Sequence, residues 1–221
     1  MAPFHPRVED LPGEFPVFPL PGALLLPRGK LPLRIFEPRY VAMTEDALGG
    51  GRMFGMIQPD PNAPETDRGP GIYRVGCLGR LSSFSETDEG HYLITLTGLT
   101  RFAVMEELQM RRGYRRVRAD FSGHHADLDL TPQPIGVERK ALLAALRSFF
   151  TSRGFNANWD VIEKLDDDML VITLATVCPF EPAERQALLE APSQAERAAV
   201  LLALLQMAAL ATDAPGGRSV S

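Results

Sequence analysis

An α+β fold is predicted, with a β-rich half first and a bundle of helices after it, because the apolar period of the chain changes once. Between Ile72 and Leu81, Val75, Cys77, Gly79 and Leu81 alternate with Arg74, Gly76, Leu78 and Arg80, the period of two that belongs to strands. Beyond Pro132-Gln133-Pro134 the spacing of Val137, Ala141, Leu142, Ala145, Leu146, Phe149 and Phe150 is helical. The prolines mark the joint. With 45% hydrophobic and 23% charged residues, a chain of 221 residues can bury a substantial core in one or two domains.

Residues 1–13 hold three prolines and no period, and read as a flexible arm. The β-rich domain, 14–130, opens with Phe15 to Gly22, a strand followed by a tight turn. Pro16, Pro19 and Pro21 cannot donate ladder hydrogen bonds, so this strand is expected to be short, at an edge, or bulged. Leu31, Leu33 and Ile35 alternate in a second strand. Glu37-Pro38 then starts a helix over about 38–48, where Pro38 suits the first turn and Gly49-Gly50-Gly51 stops it.

Met53 to Gln58 is a short strand, and Pro59 to Gly71 is too rich in proline and glycine to form regular structure. The strand from Ile72 turns at Glu86 to Gly90 into His91 to Thr97, a hairpin. Leu99 to Glu106 is expected as a further strand, and Tyr114 to Phe121 closes the β part. In the helical domain, 131–212, Gly154 follows the first helix and Asn158 caps a short one through Leu165. One of Asp166, Asp167 or Asp168 caps a third, which Pro179 ends. Pro182 begins a fourth, and Ser193 with Glu196 forms a capping box for a fifth that runs to about Thr212. Residues 213–221 read as a disordered tail.

The run Phe15-Pro16-Val17-Phe18-Pro19-Leu20-Pro21-Gly22, continued by Leu31-Pro32-Leu33-Arg34-Ile35-Phe36-Glu37-Pro38-Arg39-Tyr40, closely resembles the start of the substrate-binding N-terminal domain of ATP-dependent Lon proteases, and equally the free-standing bacterial proteins made of that domain alone. Gly51 to Gly55, Val75 to Leu81 and Leu99 to Val104 fit the same family. The resemblance implies a PUA-like, β-barrel-type domain followed by a helical bundle. It also implies contact with protein or peptide substrates; the expected partners are unfolded or short-lived polypeptides, bound by an adaptor serving a protease or by a chaperone-like binder. Lon proteases carry their ATPase and serine-lysine peptidase domains downstream, and this chain stops before either, so no catalysis is expected. Among the matching residues, Phe36, Arg39, Tyr40, Arg101 and Phe102 are the candidates for a protein-binding surface, set against a purely structural role in the strand-helix corner.

Searches for chemistry give little. The nearest approach to a phosphate loop, Gly22 to Gly29-Lys30, has six residues between its glycines and Leu31 where a hydroxyl must stand. With four histidines and no Gly-x-Ser-x-Gly elbow, no catalytic triad is indicated. No cofactor is expected. If 125–129 were extended, His125, Asp127 and Asp129 would share a face suited to a divalent ion, although a solvated linker is the plainer reading. The basic run Arg111 to Arg118 offers an alternative function, RNA binding through Arg112, Arg115, Arg116 and Arg118, against a net charge of −5 that disfavours nucleic acid as a partner. The longest apolar run, Ala198 to Ala211, falls short of the roughly 20 residues of a membrane helix. No secretory signal is visible and Cys77 and Cys178 lie far apart, so a cytoplasmic protein with two buried thiols is expected.

Overall fold

The structure, a computed structural model, describes residues 6–213. Its strands are β1 (Glu14–Pro19), β2 (Lys30–Ile35), β3 (Met53–Ile57), β4 (Val75–Glu86), β5 (Tyr92–Arg111) and β6 (Tyr114–Asp120). Its helices are α1 (Pro38–Gly49), α2 (Arg139–Arg153), α3 (Trp159–Ile162), α4 (Asp167–Val177), α5 (Pro182–Glu190) and α6 (Gln194–Asp213). No helix among the described residues is long and apolar enough to cross a membrane. Of the expected arm, Val8–Asp10 form one 3-10 turn and residues 1–5 lie outside the described residues; so do residues 214–221 of the expected tail.

The chain divides into two compact units, one through Thr131 together with Pro179–Leu189, the other Pro132–Cys178 together with the residues from Glu190 onward. In the first unit the strand order is β2-β5-β4-β3-β1-β6, and a further pairing of β6 with β5 closes the last five strands into a barrel. β2 stays outside the closure and pairs with β5 alone. Closure accounts for β1, which is short as its prolines require but is not an edge. Residues 14–17 pair with β6 and 17–19 with β3, so Pro16 and Pro19 each have a ladder on one side only.

The break expected at Gly98 is absent: β5 runs through it for 20 residues, its first half on β2 and β4 and its second half on β6. Gly98 does not end a strand; it lets another backbone in. A Cβ there would collide with the Leu26 carbonyl, and hydrogen bonds at 2.9 Å tie the loop to it on both sides, from the Arg28 amide to Gly98 and from the Gly98 amide to Gly29. Inside the barrel Phe15, Val17, Leu78, Leu99, Phe102, Val117 and Phe121 form one core, with the Phe15 and Phe102 rings edge to face at 5.0 Å.

In the second unit the caps follow the sequence. Gly154 ends α2 in the left-handed region at φ 67°, and the Asn158 side chain accepts the Val161 amide. Of the three aspartates it is Asp166 that caps α4, taking the Met169 amide at 2.9 Å. Ser193 and Glu196 make the capping contacts before α6, which packs on α2 and α4 over Leu142, Leu146, Leu170, Leu201 and Leu205. Four of the five expected helical segments, α2, α3, α4 and α6, lie in the second unit. Helix α5 belongs almost wholly to the first unit, where buried Gln186 donates to the Val75 carbonyl at 3.1 Å and accepts from the Gln58 amide at 3.1 Å. A buried amide must find partners, and those of Gln186 are on β3's end and β4.

Candidate functional site

Four segments of the first unit meet around a cavity of about 230 Å³. The end of β1 contributes Phe18, Pro19, Leu20 and Pro21; the start of α1 contributes Glu37, Arg39 and Tyr40; the loop after β3 contributes Pro59, Arg68 and Pro70; the β5–β6 turn contributes Gly113, Tyr114 and Arg115. The turn reverses tightly because Arg112 and Gly113 both take positive φ, 48° and 84°. Pro38 at the first helical position sets the start of α1 so that Arg39 and Tyr40 stand at the wall.

Tyr40 stacks on Phe18 at 4.0 Å between ring centroids, and the Arg39 guanidinium lies 4.6 Å over its ring. Burial pushes the Tyr40 hydroxyl above its ordinary pKa, against the opposing pull of the Arg39 cation. Tyr114 donates to Asp46 at 2.7 Å; its pKa is pushed up to about 12, first by burial and then by that hydrogen bond. Both phenols therefore stay protonated at neutral pH.

The proline-rich loop is held by side chains as well as by two isolated antiparallel bridges, Pro59 with Ile72 and Thr66 with Gly69. Arg115 donates through Nη1 to the Pro70 carbonyl at 2.6 Å and through Nε and Nη2 to the Glu107 carboxylate, while Arg68 donates to the Glu107 backbone carbonyl at 2.7 Å. The segment read as structureless is thus a fixed wall.

A second feature lies on β2 and its neighbours. β2 has only one strand partner, and on its outward face a shallow hollow is lined by Pro32, Arg34, Ser83, Ser85, Leu93 and Thr95. Phe36, just past the strand, is 59% exposed, and Leu93 and Phe84 are also exposed. Single exposed apolar side chains are ordinary, but here Phe36 follows a strand with an open edge, and Leu93 on β5 and Phe84 on β4 are exposed on the sheet beside it.

Of the residues singled out in the sequence, Arg39, Tyr40 and Arg115 come together at the cavity and Phe36 is exposed beside it in the chain. Arg101 and Phe102 do not face outward. Phe102 is 0% exposed in the barrel core. Arg101 is buried and grips Asp127 in a two-pronged pair, Nε to Oδ2 and Nη2 to Oδ1, both at 2.8 Å. This corrects their reading as partner-facing residues, and it also removes the metal pattern. Residues 122–128 form a 3-10 segment instead of an extended one, Asp127 is committed to Arg101, and Asp129 accepts the Thr131 amide. No group of metal-ligating side chains occurs among the described residues.

The arginine strip is neutralised by acids on β1, α1 and β5. Arg112 pairs with Glu45 and Asp46, Arg115 with Glu107, Arg116 with Glu14, and Arg118 with Glu14 and Glu106. An RNA-binding role for it finds no support: the cations that would meet phosphates already hold the β5–β6 turn to α1 and β6 to β1.

His124, in the same 3-10 segment, has a buried Nδ1 with no hydrogen-bond partner, and its pKa lies below the ordinary value, first through burial and second through the Arg101 cation. A base with a depressed folded-state pKa supports the fold fully above its unfolded value of 6.5 and loses that support as pH falls. Urea midpoints are therefore expected to decline on acidification below about pH 6.5, and His124→Asn to flatten that decline. An unchanged slope in the variant would exclude His124 as its source.

The family model described as "ATP-dependent protease La (LON) substrate-binding domain" matches residues 14–207. The chain is 31% identical to Lon protease of Anaeromyxobacter dehalogenans over 102 residues, which are 46% of this chain and 12% of that protein. It is 24% identical to Lon protease 1 of Herpetosiphon aurantiacus over 199 residues, 85% of this chain and 23% of that protein. The chain thus spans less than a quarter of the length of either relative. Among solved structures, the Lon N-terminal domain protein from Xanthomonas campestris superposes with a TM-score of 0.58 at 22% identity, covering 86% of this chain and 97% of that one. The N-terminal domain of Mycobacterium avium complex Lon protease gives 0.56 at 15% identity, covering 87% and 97%. These last two likenesses are of fold.

Proposed function

The chain belongs to the LON substrate-binding domain family, and on that premise we propose that it is a non-catalytic polypeptide-binding module, acting as an adaptor or chaperone-like binder in protein quality control. The protease activity in its relatives' names stays with those proteins. The observation that carries the reading is the open edge of β2, with Phe36 exposed just past its end and Leu93 exposed on the sheet face beside it, on β5. A strand with one unpaired edge offers main-chain donors and acceptors to an extended chain, and exposed apolar side chains beside it bury those of the guest. Such binding needs no ATP.

Carboxymethylated lactalbumin, a permanently unfolded chain, is the expected ligand class in a fluorescence anisotropy titration. Because the contact is apolar and main-chain, Kd is expected to change less than about threefold between about 0.05 and 0.5 M salt, and RNase is expected to have no effect. Phe36→Ser with Leu93→Ser is expected to weaken binding about tenfold, near 1.4 kcal/mol. Loss of binding on RNase treatment or at high salt, or undiminished binding by the double variant, would count against the β2 edge.

A further inference from the structure

We propose that the cavity beside α1 binds the C-terminal residue of a polypeptide, its carboxylate on Arg68 and its apolar side chain against the proline wall. The inference rests on the polypeptide-binding reading and names the part of the guest chain this second site takes. Charge decides the first half. Arg39 is paired with Glu37 and Arg115 with Glu107, but the half-buried Arg68 guanidinium has no carboxylate partner among the described residues, its one hydrogen bond going to a backbone carbonyl. The site therefore carries one uncompensated positive charge, which matches one carboxylate and falls short of a phosphate dianion.

Further donors stand ready. Three of the five N–H groups of Arg115 are used, by Glu107 and Pro70, which leaves two. The Tyr40 hydroxyl makes no hydrogen bond among the described residues. The rest of the wall is apolar, Phe18 and Leu20 with Pro19, Pro21, Pro59 and Pro70, and a proline has no N–H to offer a guest backbone.

A volume of about 230 Å³ is below the roughly 300 Å³ at which sites for drug-sized ligands begin, so the cavity takes a group the size of one residue. An internal aspartate or glutamate would bring two flanking peptide units to a wall whose four prolines offer them no N–H. A chain end brings one, and its side chain sits on the carbon next to the carboxylate.

The test uses the full chain and an acetylated pentapeptide of four alanines and a C-terminal leucine, as free acid and as amide, in anisotropy titrations. The acid is expected to bind at least tenfold more tightly than the amide. Arg68→Gln, on a loop side chain outside the barrel core, is expected to abolish the difference, and Arg147→Gln, which pairs with Glu163 in the second unit, to leave it unchanged. Equal binding of acid and amide overturns the carboxylate contact while polypeptide binding stands. Binding of carboxymethylated lactalbumin but of neither peptide overturns the inference alone, whereas failure of all three overturns the proposed function with it. Full competition by 4-methylpentanoate at the peptide's own affinity assigns the site to small carboxylic acids and overturns the polypeptide end as its ligand.

Discussion

Arg101→Leu is expected to destabilise the β-rich unit by about 3–5 kcal/mol in urea unfolding, without passing through any effect on binding. The side chains of Arg101 and Asp127 are only 5% and 9% exposed, and Asp127 Oδ2 also accepts the Arg101 backbone amide at 2.9 Å. Removing the cation strands a buried carboxylate, with only the backbone amide of residue 101 left to offset its desolvation. The same guanidinium reaches the Leu189 carbonyl at 3.3 Å, near the C-terminal end of α5, so its loss also loosens the helix that lies on this unit. Replacing both partners, Arg101→Leu with Asp127→Leu, is expected to recover most of the loss, because an apolar pair leaves no orphaned charge. A single variant that costs under about 1 kcal/mol, or a double variant no better than the single, would show that the pair is not what fixes this corner.

That pair also shows where sequence reading stops. Alternation and helical spacing are properties of neighbouring residues, so β4, α1, α2 and the caps at Asn158 and Ser193 were legible. Tertiary partners are not. Arg101 and Asp127 are 26 positions apart, and Glu14 lies more than 100 from Arg116 and Arg118. A run of arginines on one strand looks basic until the fold brings those acids to it. Gly98 reads as a break because nothing local announces that the Leu26 carbonyl will come to rest there. Helix α5 has a legible period, but period identifies a helix and not the surface it joins; buried Gln186, whose partners are on the barrel, was the available signal. The cavity draws on four segments separated by loops, so no single stretch could display it. The family motif spans two of the four, the end of β1 and the start of α1 with Glu37, Arg39 and Tyr40.

Phe102→Ala is expected to cost about 3–5 kcal/mol, the range for emptying a ring-sized space in a close-packed core. The ring touches Phe15 edge to face and lies 6.5 Å from Phe121, centroid to centroid, in a barrel that has no second layer to collapse inward. Two glycines make room for it. A Cβ at Gly55 would come within 2.8 Å of the Phe102 ring and 3.0 Å of Phe15, so Gly55→Ala is itself expected to destabilise by about 1–3 kcal/mol through overpacking. Combined with Phe102→Leu, the same alanine meets a smaller side chain, and its cost is expected to shrink, a coupling of about 1 kcal/mol or more between residues on β3 and β5. Gly76→Ala should respond less, since its Cβ also meets the Met56 carbonyl, which no change at position 102 removes. Polypeptide affinity per folded molecule decides what Phe102 is for. If Phe102→Ala lowers the urea midpoint and leaves that affinity unchanged, the residue is core. If affinity falls while the midpoint holds, the barrel must open to its partner at this position, and the buried ring seen here belongs to a closed state.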